Sequence, residues 1–164
     1  MNKQDVLVLY NYNAWSNARI LDAASRVTQE EFLATAPVPH GGLQRTLVHT
    51  LFAEWIWRNR WEETPPTFSL KQQEFPTFES LQARSAYEET RLMKFVENLT
   101  DEGLYRRFKY ISTEGYPHER VLWETMAHLV NHGTQDKTEA AAILTSFGHS
   151  PGDIDLIGYL SGGA

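Results

Sequence analysis

Four long stretches of this chain repeat apolar side chains at helical spacing, and that periodicity limits the fold more than any other feature. Residues 6–24 place Val6, Leu9, Tyr10, Ala14, Ile20, Leu21 and Ala24 on one side, with the polar Asn13 among them. Residues 43–61 present Leu47, Leu51, Phe52, Trp55 and Ile56 around His49, and Thr64, Pro65 and Pro66 mark their end. Residues 77–99 carry Phe78, Leu81, Ala86, Leu92, Phe95 and Val96 as expected buried positions. Residues 119–146 carry Val121, Leu122, Met126, Leu129, Val130, Ala140, Ile143 and Leu144, with Gly148 as the stop and Gly133 as a weak point inside. Four amphipathic helices must bury their apolar faces against one another, so the expected fold is all-α, a four-helix bundle.

The connections refine that expectation. Thr28 and Glu31 have the spacing of a capping box and start a short helical turn, which Pro37, Pro39, Gly41 and Gly42 interrupt. The loop with Phe68, Leu70, Phe75 and Pro76 is apolar enough to pack down. Residues 101–118 lose the helical period and read as a covering connection with short extended pieces. Residues 151–164 read as a short docked C-terminal segment, in which PGDIDL (151–156) is a turn followed by acidic capping. The links after the first and third long helices exceed a tight turn, which leaves room for a crossover connection. No repeat or composition break divides the chain, so residues 1–164 are expected to form a single domain.

The chain has no cysteine, which excludes disulfides, thiolate ligands and a cysteine nucleophile. Any metal must be held by nitrogen and oxygen. A net charge of −6 disfavours a nucleic-acid-binding face, which needs clustered Lys and Arg. No window reaches the roughly twenty apolar residues that span a bilayer, and the first residues lack the pattern of a signal peptide. The expectation is a soluble cytoplasmic protein that acts on neither nucleic acid nor membrane.

His128, His132 and Asp136 recur every four residues, so all three face one side of the last long helix. Their total rise is roughly 12 Å against metal–ligand bonds of about 2 Å, so one ion takes a neighbouring pair. Either pair contains His132, and His49 is placed to complete the set from across the bundle. Three protein ligands leave positions open for water or substrate. The competing reading makes His49 a boundary histidine bonded to a carbonyl and Asp136 a solvated surface charge.

YNYNAWSNARILDA (10–23), LVHTLFAEWIWRNRW (47–61) and HLVNHGTQD (128–136) resemble three segments of the DinB/YfiT-like metalloenzyme family. YNYNAWSNARILDA (10–23) is similar to its Tyr-Asn-x-Trp-x-Asn-x-Arg-Leu-Leu pattern through Tyr12, Asn13, Trp15, Asn17, Arg19, Ile20 and Leu21. LVHTLFAEWIWRNRW (47–61) resembles the family's histidine followed by an aromatic-rich turn. HLVNHGTQD (128–136) resembles its His-Leu-Val-Asn-His-Gly-Thr-His-His segment. The resemblance implies a divalent ion, nickel or zinc, on a helix-two histidine and a His-x-x-x-His pair, which fall here on His49, His132 and Asp136. Gln135, Asp136 and Lys137 stand where the family continues with two histidines and an arginine, so the site is either retained with an aspartate ligand or degraded. His128 is then a pocket wall or extra donor, and Glu124, one turn earlier, a candidate to orient water.

Asn13, Trp15, Asn17 and Arg19 suit a structural cluster, with Arg19 a candidate partner for a buried carboxylate. Trp55, Trp57 and Trp61 with Arg58 and Arg60 fit a helix packed on two sides or a subunit contact better than a base-stacking platform. Ser112, Thr113 and Tyr116 stand where they can border the bundle opening, without a local base to activate a serine. Three functions follow: a metal-dependent hydrolase or external-thiol-dependent transferase on a small-molecule substrate, a non-catalytic metal- or ligand-binding protein, or a helical interaction module with a dead site. The resemblance and the tryptophan-rich segment also suggest a homodimer.

Overall fold

The computed structural model describes residues 1–64 and 70–162. The expectations for Pro65, Pro66 and Phe68, and for the last two residues of the tail, lie outside the described residues. Helix α1 spans Lys3–Ala24, a short α2 spans Gln29–Leu33, and α3 spans Leu43–Trp61. A 3-10 turn at Gln72–Glu74 leads to α4, Phe78–Glu97, and a one-turn α5, Asp101–Leu104. Strands β1 (Arg107–Ile111) and β2 (Pro117–Val121) form an antiparallel hairpin, and α6 (Leu122–Ser146) and α7 (Leu156–Leu160) complete the chain. The helix ends are chemically defined. Asn2 and Asp5 form a capping box at α1, as Thr28 and Glu31 do at α2, and the Asp155 side chain caps α7. Among the described residues no helix is long and apolar enough to cross a membrane.

Helices α1, α3, α4 and α6 form a four-helix bundle in which α1 and α3 each lie against both α4 and α6. Side-chain bonds fix the directions. Lys3 at the start of α1 bonds the Glu97 carbonyl at the end of α4, so those two run antiparallel. Trp61 at the end of α3 donates to Thr125 at the start of α6, 2.9 Å, so those two are antiparallel as well. Tyr10 bonds the Met126 carbonyl, and α1 and α6 run parallel. These directions make α3 and α4 parallel, so the lengthwise crossover is the link between them, whereas the links after α1 and α4, where the sequence left room for it, join antiparallel helices across the bundle diagonal.

Two apolar clusters fill the interior. One gathers Ile20, Leu43, Leu51, Trp55, Leu81 and Leu144, and the other Tyr10, Trp61, Val96, Leu104, Leu122 and Met126. Each such large side chain contributes about 1.5–3 kcal/mol by leaving water. Between them lies a buried polar layer. Asn13 and Asn17 both donate to Glu54 Oε1 at 2.8 Å, and Lys137 Nζ reaches Asn13 Oδ1 and Ser16 Oγ at 2.7 and 2.8 Å. The structural role expected of Asn13 and Asn17 is thus met. Gly133 faces Asn13, where a Cβ would sit 3.3 Å from its Oδ1 and crowd the layer.

Burial pushes the Glu54 carboxyl above its ordinary range, with the bonds from Asn13 and Asn17 and the charge of Lys137 acting the other way. Its folded pKa exceeds the unfolded one, so the folded state holds the proton longer and stability falls as pH rises through that interval. The stability of the wild type relative to Glu54→Gln is therefore expected to fall above about pH 4.5, by no more than ~1.4 kcal/mol per pH unit. Urea denaturation of both proteins across pH 4–8 checks this, and a relative stability that rises with pH contradicts it.

Several local expectations change. Residues 119–121 are strand rather than helix, because the hairpin carries the chain into α6. Ala86 is exposed, and the inward position on α4 belongs to Glu88. Among the described residues Arg19 meets no carboxylate: its Nε bonds the Pro151 carbonyl at 3.3 Å and its guanidinium lies over Trp15. Trp55, Trp57 and Trp61 are buried within the chain, so α3 is packed on two sides. The tail docks as expected, with Tyr159 against Tyr12 and Trp15 and the Tyr12 hydroxyl on the Ile154 carbonyl.

Candidate metal centre

The antiparallel pairing of α3 and α6 brings the two helical histidines together. His49 Nε2 lies 3.0 Å from His132 Nε2, and His132 Nε2 lies 3.6 Å from Asp136 Oδ2. Asp136 is only 2% exposed, so it is no surface charge. Thr50, one residue after His49, donates to Asp136 Oδ2 at 3.3 Å and orients the carboxylate toward α3. Lys137 turns about 100° from Asp136 and enters the polar layer instead.

Among the described residues, the group whose donors all lie mutually close does not include His132; it takes in instead a third histidine that lies outside all the helical periods. His40, His49 and Asp136 each offer a ligand atom within 4.8 Å of the other two, a cluster able to coordinate a metal ion. The His40 ring lies beside that of His49, with centroids 4.3 Å apart. Glu139, one turn after Asp136, accepts from the His40 backbone N–H and faces the ring Nδ1, each at 3.1 Å. A neutral His40 that donates from Nδ1 keeps its lone pair on Nε2. Burial pushes the Glu139 carboxyl up, but bonds from Thr46 and His40 outweigh it and hold the group below its ordinary range.

The sequence signal for His40 was available in Pro39-His40-Gly41-Gly42, where a histidine sits between residues that fix a turn. Gly42 has φ +151° and begins α3, and a Cβ there would run into the Ala34 carbonyl oxygen. Gly42→Ala is therefore expected to cost more than ~1 kcal/mol and to displace His40. Urea denaturation measures the first effect and the His40 ring chemical shifts the second; a variant unchanged in both refutes the assigned role of the turn.

Burial lowers the pKa of His49, partly offset by Asp136 and reinforced by His40 and His132, which favours a neutral ring with a free lone pair. His128 is brought to the edge of the cluster. It stacks on His132 with centroids 5.7 Å apart and meets Trp57 edge-on, and partial desolvation followed by His132 lowers its pKa. Glu124 is exposed in the first turn of α6, roughly 12 Å of helix rise from His132. A cavity of about 310 Å³ opens on His40, Arg45, His49 and Phe52.

The donor set suits a borderline divalent cation. Bonds of about 2.0–2.2 Å at tetrahedral angles put neighbouring donors roughly 3.3 Å apart, close to the separations His132 makes with His49 and Asp136. Fold and cluster together define a class: a crossover four-helix bundle with a histidine–carboxylate site able to hold a metal between two of its helices. The DinB family model matches residues 1–162, and the chain belongs to the DinB family. No curated protein matches the sequence.

Proposed function

We propose that this chain is a divalent-metal-dependent enzyme that acts on a small molecule, with His49, His132 and Asp136 as the ligands and His40 as a further donor. The observation that carries the reading is the convergence of imidazoles from α3 and α6 on a buried carboxylate, with His132 Nε2 within 3.6 Å of both partners. Zinc and nickel suit nitrogen and carboxylate donors better than calcium or magnesium does. An ion bound there supplies a Lewis acid for a carbonyl and lowers the pKa of water.

The chain's own residues prepare that chemistry. Glu139 fixes the His40 tautomer, Thr50 orients Asp136, and the low basicity of His49 keeps its lone pair available. Arg45 at the rim supplies positive charge for an anionic substrate. The cavity sits at the lower end of the range for small-molecule sites, which supports hydrolysis of a small ester or amide over transfer to a bulky external thiol. A homodimer in the cytoplasm belongs to the same reading, and it rests on the family resemblance because the tryptophans of α3 face inward.

Metal analysis of protein purified without a histidine tag tests the site, with one zinc or nickel ion per chain expected. A panel of esters, amides and thiol-acceptor pairs tests the reaction. Stoichiometric metal with no turnover across the panel would make the protein a non-catalytic binder, and absence of metal binding would leave a bundle with a degenerate site.

A further inference from the structure

A second and larger cavity, about 650 Å³, lies between the C-terminal half of α3 and the hairpin. Arg60 is its chemical centre, eleven residues and roughly 16 Å along α3 from His49. Both sites open on one α3–α6 face, because ring contacts run from His49 through His132, His128 and Trp57 to Tyr110. The volume falls within the range of small-molecule sites.

The Arg60 guanidinium is held by two ring faces and a carbonyl, with no ion-pair partner among the described residues. It lies over Trp57 at 4.8 Å and over Tyr110 at 4.7 Å from the ring centroids, and one terminal nitrogen bonds the Ile111 carbonyl at 3.1 Å. Among the described residues no carboxylate stands within ion-pair distance of it. The carboxylates in the cavity wall are engaged elsewhere: Glu63 pairs with Arg106 and Glu119 with Arg107. Glu114, on the exposed turn of the hairpin, acts on Arg60 only through space. Burial lowers the pKa of Arg60, with Tyr110 and Glu114 opposing, yet a guanidinium stays charged at any working pH. The group therefore bears a desolvation cost that a bound anion would repay.

The walls restrict which anion. Ile56, Phe108 and Tyr110 give an apolar floor, and Ser112 and Thr113 add hydroxyls at the hairpin end. Tyr116, expected beside them, is exposed on the hairpin instead. A planar fork of N–H donors matches a carboxylate. Arg107 and Lys109 also line the wall, but Arg107 is paired with Glu119, and the carboxylates of Glu63 and Glu119 leave the lining close to one net positive charge, which favours a monoanion over a dianionic phosphate.

We propose that this cavity binds a monoanionic, largely apolar carboxylic acid, with the carboxylate on Arg60 and the hydrocarbon or aryl body against Ile56, Phe108 and Tyr110. The site goes beyond the metal reading and does not depend on it. Calorimetry of the chelator-treated full chain with 4-phenylbutyrate, 4-phenylbutyramide and 4-phenylbutyl phosphate tests it. One phenylbutyrate per chain is expected, with the amide and the phosphate each at least about tenfold weaker, since a charge-assisted bond is lost or a second charge is repelled. Arg60→Met should weaken the acid by a similar factor and leave the amide unchanged. His132→Ala should leave phenylbutyrate binding intact whatever it does to zinc, so failure of one site does not pass for failure of the other. Absence of saturable binding, equal affinity for acid and amide, or tighter binding of the phosphate overturns the proposal. If Arg60→Met does not fold, the comparison of acid, amide and phosphate on the wild type still decides.

Discussion

His132→Ala is expected to lower the affinity of the untagged protein for Zn²⁺ or Ni²⁺ by more than about 100-fold, the upper figure for losing only a group that supports a ligand. Its Nε2 is the atom closest to both of the other donors, 3.0 Å from His49 and 3.6 Å from Asp136, so its removal opens the middle of the set. The side chain is partly exposed, at 28%, and its loss leaves no large void. The variant should therefore fold normally, and a lost ion cannot be blamed on a lost bundle. Glu139→Gln is the companion measurement. It keeps the shape but weakens the acceptor that fixes His40, so an affinity loss of roughly 10–100-fold is expected if His40 is a ligand. Isothermal titration with circular dichroism as the folding control reads both. Unchanged stoichiometry and affinity in His132→Ala would remove the proposed coordination set and the enzyme reading with it.

The parts of this arrangement that were legible in the sequence are those a helix repeats. His49 sits inside a 3.6-residue apolar pattern, so its side chain had to point near the bundle interior, and a four-residue step put His132 and Asp136 on one face. The sequence leaves Asp136 open between a ligand and a solvated charge, although the buried Ala140 four residues later lies on the same face. His40 could not be placed that way. It belongs to a loop that a glycine conformation folds back over the start of α3, and only tertiary contact with Glu139 tells where it goes.

The short extended pieces expected in residues 101–118 are present, but their pairing as a hairpin was not legible for a related reason. Its strands are five residues each, and Arg107, Lys109 and Ile111 are exposed while only Phe108 is buried, so the alternation is too short to register against polar surroundings. On α4 the pattern misled outright. Alanine looked like the inward residue, yet a charged one is inward because its partner is a charge on another helix.

That partner pair gives the largest expected loss of stability. Glu88→Gln is expected to destabilise the protein by about 3–5 kcal/mol, toward the lower end of that range. Arg58 and Glu88 are both fully buried, and the guanidinium engages the carboxylate through two nitrogens, Nε on Oε1 and a terminal nitrogen on Oε2 at 3.1 Å. Burial pushes the Arg58 pKa down, but the bonds and charges of Glu88 and then Glu62 more than reverse it and hold the cation. The amide removes the charge while a guanidinium cannot shed its own, so Arg58 would stay ionised in an apolar interior with only the partly exposed Glu62 to answer it. Glu62 moderates the loss without replacing the second bond. The pair itself need not be stabilising, because two desolvated ions cost about as much as their attraction returns. Replacing both partners, Arg58→Met with Glu88→Leu, should therefore recover most of what Glu88→Gln loses. Urea denaturation of the wild type, Arg58→Met, Glu88→Leu and their combination measures the coupling, and a Glu88→Gln protein within ~0.5 kcal/mol of wild type would show that the bridge between α3 and α4 carries no such penalty.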